Sequence, residues 1–323
     1  MWSLLRRSVS VVAQLTLVGL VITVVLRVVR LEAHTLTIGL IAAAPLILLF
    51  AWPLGLWFVV HRQWRRALLA GLLIVAQLGM AIGSIGWQTT PDEIPAGDFR
   101  IGSANIYGNN PSAADVLGVF LIAGVDVAVL QEVTPEILVD LSTMTAWDEY
   151  PHRVLDPRPG FFGSAILSKY PLTGDVLWVD GWPMTEATVA TDVGPVRVVN
   201  VHIDPPLSAE GTRRWKQQAS ELADLAASRS MPMVLAGDFN ATDQNSTISE
   251  LRGVGLTDAH PAAGSGLGPT WPNIGPIPAL LRVDRALSSP ELTPIDARRG
   301  ADIGSDHWPI IVTYVTAEAD AAQ

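Results

Sequence analysis

The sequence predicts two parts: a helical membrane segment over roughly the first ninety residues and a mixed α/β domain over 99–316. Three observations point there. Three uncharged apolar stretches occupy the N-terminal part. Beyond them, β-rich runs alternate with helical periodicity and include at least one hairpin, which argues against a purely parallel doubly wound sheet. Acidic, amide and histidine residues recur where those runs end.

The apolar stretches cover about 9–26, 36–60 and 67–87, and each has the length a helix needs to cross a hydrocarbon core of roughly 30 Å. A central Arg would cost on the order of 2.5–3.5 kcal/mol, and none is present. Pro45 and Pro53 fall in the second stretch, where a membrane helix tolerates a kink. Arg6 and Arg7 ahead of the first resemble a signal-peptide start, but no small-x-small cleavage pattern follows Leu26. Three membrane helices are therefore expected. Arg6, Arg7 and the three Arg of "HRQWRR" (61–66) outnumber Arg27 and Arg30 of the other loop. The positive-inside rule then puts the N-terminus in the cytoplasm and everything after the third helix outside it.

Charge separates the two parts. Residues 1–90 hold seven basic side chains and one acidic one, Glu32. That leaves 14 basic and 30 acidic of the chain's 21 and 31 for the remainder. So acidic a domain fits poorly with gripping duplex nucleic acid by its phosphates, although a local basic groove is not excluded by a total. The chain has no cysteine, which rules out disulfides and thiolate metal sites.

Residues 88–98 are polar and Pro-rich, as a linker is. Then "FRIGSANIY", "VDVAVLQEV" and "GSAILSKY" read as strands, with a helical run, "AADVLGVFLIAG", between the first two. "EATVATDVGPVRVVNVHI" reads as a hairpin around Asp-Val-Gly-Pro. Trp215, Ala219, Leu222, Leu225 and Ala226 recur at helical spacing. "MPMVLAGDFN", "RVDRALSS" and "WPIIVTYVT" supply further strands, and 317–323 is a tail.

Asn105 closes the first strand and Gln131-Glu132 close the second. His202 ends "VRVVNVH", Asp238 and Asn240 end "LAGDFN", Asp284 lies in "RVDRAL", and Asp306 and His307 precede the last strand. Taken singly, each has a structural explanation: Asn and Asp form turns, and a lone His is commonly a core residue. Together, loops just past strands are where a scaffold converges distant side chains. Oxygen ligands without Cys suit a hard cation such as Mg²⁺. A metal that polarises a phosphoryl oxygen, an Asp that orients water and a His that meets developing charge would hydrolyse a phosphoester.

The stretches "SANIY", "LQEV", "GSAILSKYPL", "VNVHIDPP", "LAGDFNATD", "RVDRAL" and "GSDHWPI", in this order over about 99–315, resemble the endonuclease/exonuclease/phosphatase superfamily (DNase I-like). The resemblance implies a four-layer sandwich, two mixed β-sheets face to face with helices outside. It also implies Glu132 as main metal ligand with Asn105 beside it and Asp306 nearby, and Mg²⁺ or Mn²⁺ as the ion. Asp238 would orient or deprotonate the attacking water and Asn240 would hold a phosphoryl oxygen. His202 and His307 would stabilise the transition state, with Asp284 orienting His307. Tyr107 stands where several repair nucleases of the superfamily carry an acidic residue, which disfavours that branch.

The superfamily fixes the bond and leaves the molecule open. Three membrane helices ahead of an outward-facing domain resemble the VanJ-type teicoplanin-resistance membrane proteins. That resemblance implies a lipid-linked phosphate of the cell envelope, such as undecaprenyl pyrophosphate, as substrate. The alternatives are an extracytoplasmic Mg²⁺-dependent nuclease and an inactive membrane binding or sensing protein. Phe161, Phe162, Trp271 and Leu280 either form an apolar rim that touches lipid or pack beneath their loops.

Overall fold

The computed structural model of the chain describes residues 2–86, 98–192 and 194–316. Trp87, the expected linker apart from Asp98, the 317–323 tail and Val193 of the expected hairpin turn lie outside the described residues.

The first apolar stretch forms α1 (Trp2–Val28). The second, expected as one helix over 36–60, is broken into α2 (Thr35–Ala42), α3 (Ala44–Ile47), a 3₁₀ turn (Leu48–Phe50) and α4 (Ala51–Val60). The bend between α2 and the Ala44–Val60 segment is 66°. Its cause is local: Pro45 has no N–H for the carbonyl of Ile41, and its ring would clash there. Pro45 and Pro53 instead sit in the opening turns of α3 and α4, where the missing N–H costs nothing. The third stretch forms α5 (Trp64–Ile85). Ser8–Val28 and Trp64–Ile85 are long and apolar enough to cross a membrane, and the bent pair makes a third span if counted as one. These helices pack on Leu17, Leu20, Leu48, Phe58 and Leu73. Their outer faces expose Leu15, Ile22, Leu56, Leu72 and Val75, a continuous apolar surface of the kind that marks a membrane or protein contact.

The remaining elements run in the order β1 (Phe99–Asn105), α6 (Val116–Ile122), β2 (Val127–Gln131), α7 (Pro135–Thr143), β3 (His152–Asp156), β4 (Ser164–Ser168), β5 (Leu172–Val179), β6 (Trp182–Thr191), β7 (Gly194–His202), α8 (Ala209–Ala227), β8 (Met233–Asp238), α9 (Ser246–Gly253), β9 (Thr257–Asp258), α10 (Ala259–Ala262), β10 (Asp284–Ser288), β11 (Leu292–Arg299) and β12 (Ile310–Thr316). They form two six-stranded mixed sheets, ordered β11-β12-β1-β2-β4-β3 and β5-β6-β7-β8-β10-β9. Each is built on one parallel pair, β1–β2 or β7–β8, flanked by antiparallel neighbours.

The period-2 alternation of the strands produces the layers. In β7, Val196 and Val198 face the other sheet while Val199 and Val201 face α8; Val234 and Ala236 of β8 face inward and Met233 and Leu235 outward. Phe99, Ile101, Val127 and Val129 meet them from the first sheet. The far face of that sheet packs Ala128 and Leu130 against Leu117, Phe120, Ile137 and Leu141 of α6 and α7. The result is the expected four-layer sandwich.

One polar link interrupts the inter-sheet core beneath the site. Asn200 of β7, fully buried, donates to the carbonyls of Leu130 (2.8 Å) and Ala165 (3.1 Å), and its Oδ1 accepts from Gln131 Nε2 at 2.7 Å. It ties the two parallel pairs together close to His202 and Glu132.

The N-terminal part docks on this domain. Glu32, buried in the loop between α1 and α2, accepts hydrogen bonds from Asn245 and Ser246 at the start of α9. Arg27 Nε donates to Gln244 (2.6 Å), Thr35 Oγ1 to the Pro206 carbonyl (2.7 Å) and Thr242 Oγ1 to the Ala42 carbonyl (3.1 Å). Ile38 of α2 enters the same core as Ile203, Phe239 and Trp215.

Candidate active site

The polar residues noted at strand ends converge where β1, β2, β7 and β8 terminate. Asn105, Glu132, His202, Asp238, Asn240, Asp306 and His307 line one cleft of about 480 Å³, and Asp284 stands behind His307. Parallel pairing places Asn105 opposite Gln131 and His202 opposite Asp238, so four strand ends open at one edge. Two of these residues hold strained backbone. Glu132 (φ 63°) and Asn240 (φ 46°) lie in the left-handed region that non-glycine residues rarely occupy. Gly237 is required just before Asp238: at φ 149° any Cβ would lie 1.8 Å from the Val201 carbonyl oxygen.

Asn105 is the hub. Its Nδ2 donates to Glu132 Oε1 (2.9 Å) and Asp238 Oδ2 (3.3 Å), and its Oδ1 accepts from the Tyr107 N–H (3.1 Å). The Gly108 N–H donates to Glu132 Oε2 at 2.9 Å. The Asn240 N–H fixes Asp238 through Oδ1 (2.8 Å), and Asn240 Nδ2 donates to the Ile203 carbonyl (2.9 Å). On the opposite wall, His307 Nδ1 bonds Asp284 Oδ2 at 2.9 Å. His307 Nε2 then faces Asp238 Oδ2 across 3.8 Å, and His202 Nε2 faces the same oxygen across 4.0 Å. Both gaps exceed a hydrogen bond, so the three groups surround a point without closing on it. Burial opposes a charge on His307, but Asp284, Asp238 and Asp306 outweigh it and raise its pKa to about 10. These carboxylates favour the imidazolium over the neutral ring.

Asp238, Asp284 and His307 offer ligand atoms within 4.8 Å of one another, the one such group among the described residues. The Nδ1–Asp284 bond gives these two a different reading, a carboxylate that orients an imidazolium. The Glu132 end fits a hard cation better. Its carboxylate receives two N–H donors and, among the described residues, no cationic partner, and no Lys or Arg lines the cleft. Asp306 lines the same cleft but, among the described residues, its carboxylate bonds neither Glu132 nor Asn105; its backbone carbonyl accepts from Asn273 N–H. Tyr107 is exposed, and that loop supplies no second carboxylate.

Several supports were not anticipated. Thr270 Oγ1 accepts from the Val283 and Asp284 N–H groups, and Ser305 Oγ bonds both the Asn105 carbonyl and the His307 N–H. Buried Arg285 bonds Asp243 and Asp258 and the Ala241 carbonyl, tying β10 to the loop after Asn240. The other wall of the cleft was unforeseen too: Thr35, Ile38, Gly39 and Ala42 of α2 line it together with Phe161, Pro205, Leu207, Trp271 and Leu281. Of the four aromatic or leucine side chains expected either at an apolar rim or packed beneath their loops, Phe161 and Trp271 line the cleft, Phe162 packs on Trp182, and Leu280 is half-exposed. The only sequence signal for the α2 wall was Glu32, the single acid in the first ninety residues.

The model of the Endonuclease/Exonuclease/phosphatase family matches residues 102–307. Solved structures agree on the fold. An endonuclease/exonuclease/phosphatase from Bacteroides vulgatus is 20% identical, with 68% of this chain and 99% of that one covered and a TM-score of 0.58. Truncated Caenorhabditis elegans TDP2 is 20% identical, covering 68% and 98%, with a TM-score of 0.56. D. rerio TDP2 complexed with a single-strand DNA product is 19% identical, covering 68% and 99%, with a TM-score of 0.53. No curated protein sequence matches the chain.

Proposed function

Because the chain belongs to the endonuclease/exonuclease/phosphatase family, a family of phosphoester hydrolases, we propose that it is a membrane-anchored, divalent-metal-dependent phosphoesterase acting outside the cytoplasm on an amphiphilic, lipid-linked phosphate. One observation supports the substrate class: the cleft that holds Glu132, Asp238 and His307 has α2, part of the second apolar stretch, as its other wall. A phosphate at this floor therefore lies against hydrocarbon-like surface. The five Arg assigned to the cytoplasmic side, on the opposite end of the helices from the 27–35 loop, support the outward orientation.

Glu132, with Asn105 bonded to it and Asp306 across the cleft, would hold Mg²⁺ or Mn²⁺. When bound, the ion would polarise a phosphoryl oxygen and neutralise part of its charge. The protein groups would do the rest. Asp238, pinned by the Asn240 and Asn105 donors, would take the proton of the attacking water. Asn240 Nδ2, which also reaches Asp238 Oδ2 at 3.4 Å, would turn that hydrogen to a phosphoryl oxygen. The His307 imidazolium, held by Asp284, and His202 would face the charge that develops on the phosphoryl group.

The DNA product in the D. rerio structure suggests a second reading, an extracytoplasmic nuclease. The acidic domain and a cleft that no Lys or Arg lines among the described residues count against it. The complete polar floor counts against an inactive binding protein. The experiment is phosphate release by the full chain in detergent with Mg²⁺ or Mn²⁺. Release should vanish with EDTA and in Glu132→Ala; release that persists in both would refute the metal-dependent site. A C-terminal reporter active only in the cytoplasm should stay silent, and a positive signal would reverse the orientation.

A further inference from the structure

A second cavity of about 110 Å³ lies at the α2–α3 bend, between Pro45 and Leu46 on one side, Ser84 of α5 on another, and Leu267 and Leu280 of the loop before β10. Ala42, Thr242 and Leu281 line both this cavity and the catalytic cleft, so the two hollows adjoin at these three side chains (the neck). Thr242 Oγ1 donates to the Ala42 carbonyl at 3.1 Å, which closes the Thr242 side of this junction. The charged groups at its back, Arg282 and Asp243, bond each other at 2.7 Å and present a paired wall rather than an ion site. Leu267 and Leu280 stand 54% and 49% exposed at its edge, apolar surface that an occupant would cover.

We propose that this second cavity is the subsite for the hydrocarbon chain of the substrate. The phosphate lies between Asn240, His202 and His307, the first carbons pass Ala42 and Leu281, and the chain continues over Pro45 and Leu46 toward the exposed helix faces. The break in the second apolar stretch then has a role, because the bend at Pro45 is what leaves a hollow beside the neck. Ala42 is a small side chain at that junction. The subsite rests on the phosphoesterase reading above and specifies which part of the molecule it recognises apart from the phosphate.

The test uses the full chain in nanodiscs with Mg²⁺ and a series of butyl, octyl and hexadecyl phosphates and diphosphates. The wild type should show kcat/KM rising along the series. Leu46→Gln, beyond the neck, changes polarity with little change in volume and should lower kcat/KM for the hexadecyl esters by about tenfold or more, equivalent to a lost factor of ten in binding, and leave the butyl esters unchanged. Ala42→Phe, which narrows the neck beside the cleft, should lower kcat/KM for the hexadecyl esters more than for the butyl esters; it decides the matter if Leu46→Gln does not fold. Equal kcat/KM along the series, or equal losses for butyl and hexadecyl esters in both variants, would overturn the subsite while leaving the phosphoesterase intact. No release from any alkyl ester, with DNA cleaved by the same preparation, would overturn both.

Discussion

Glu32 Oε1 accepts a hydrogen bond of 2.9 Å from Asn245 Nδ2, joining residues 213 positions apart in sequence. The same carboxylate also receives the N–H and hydroxyl of Ser246, so a residue of the α1–α2 loop caps α9 where Asn245 provides no side-chain cap of its own. A buried carboxylate with three donors is favourable at a helix N-terminus. Glu32→Ala should therefore cost about 1–3 kcal/mol, read as a lower Tm in detergent and faster proteolysis of the 29–34 loop. Unchanged protection of that loop would show that the arm does not depend on Glu32.

Asp284 fixes the His307 ring through Nδ1. Asp284→Asn keeps the shape but removes the charge that holds the imidazolium in place. We expect kcat to fall by about 10²–10⁴-fold with a much smaller change in KM, measured by steady-state phosphate release. A rise in KM with kcat intact would assign Asp284 to substrate binding instead.

Asn200 satisfies two buried carbonyls and Gln131 at once. Asn200→Leu leaves those groups unpaired between the sheets, at a cost of about 1–3 kcal/mol for each group left unsatisfied. Denaturant unfolding should show a large loss of stability. Activity should fall as well, because Gln131 precedes Glu132.

His260 is held neutral. Burial lowers its pKa to about 4, and nearby Arg282 adds to this against the opposing carboxylates of Asp258 and Asp243. Its folded pKa lies below the unfolded value of 6.5, so the unfolded chain binds more protons below pH 6.5. Stability from this group is complete above about pH 6.5 and declines toward about pH 4, by roughly 3 kcal/mol at about 1.4 kcal/mol per pH unit. Thermal melts from about pH 7 to about pH 4 should show the decline, and His260→Gln should flatten it. An identical slope in the variant would contradict the assignment.

The central strands were legible because their pattern is strong. β1, β2, β7 and β8 are apolar runs ending in single polar residues, and those polar residues meet at one edge. The edge strands were not. β5 carries Gly174 and Asp175 on exposed positions, and β11 contains Pro294 beside a register shift, so neither shows clean alternation. α7 has a start signal, with Thr134 capping it and Pro135 opening it, but its short stretch of mixed composition does not reinforce that signal.

The long-range features lay beyond the sequence. Pro45 and Pro53 were visible as kink sites, but their 66° outcome, and the docking of α2 beside Asn240, depend on contacts with residues about 200 positions away. Arg285 read as one charge in "RVDRAL", yet its burial against Asp243 and Asp258 is a property of three separate segments. Periodicity within a window carries none of this.

The most direct measurement is hydrolysis of a polyprenyl diphosphate, a phospholipid, an inositol phosphate and a DNA oligonucleotide by one full-chain preparation in nanodiscs with Mg²⁺, read as phosphate release for the monoesters and diphosphate and as product fragments for the diesters. The predicted result is turnover of the lipid-linked phosphate, abolished by His307→Ala, with little or none of the oligonucleotide. Cleavage of the oligonucleotide with no release from any lipid-linked phosphate would contradict the account.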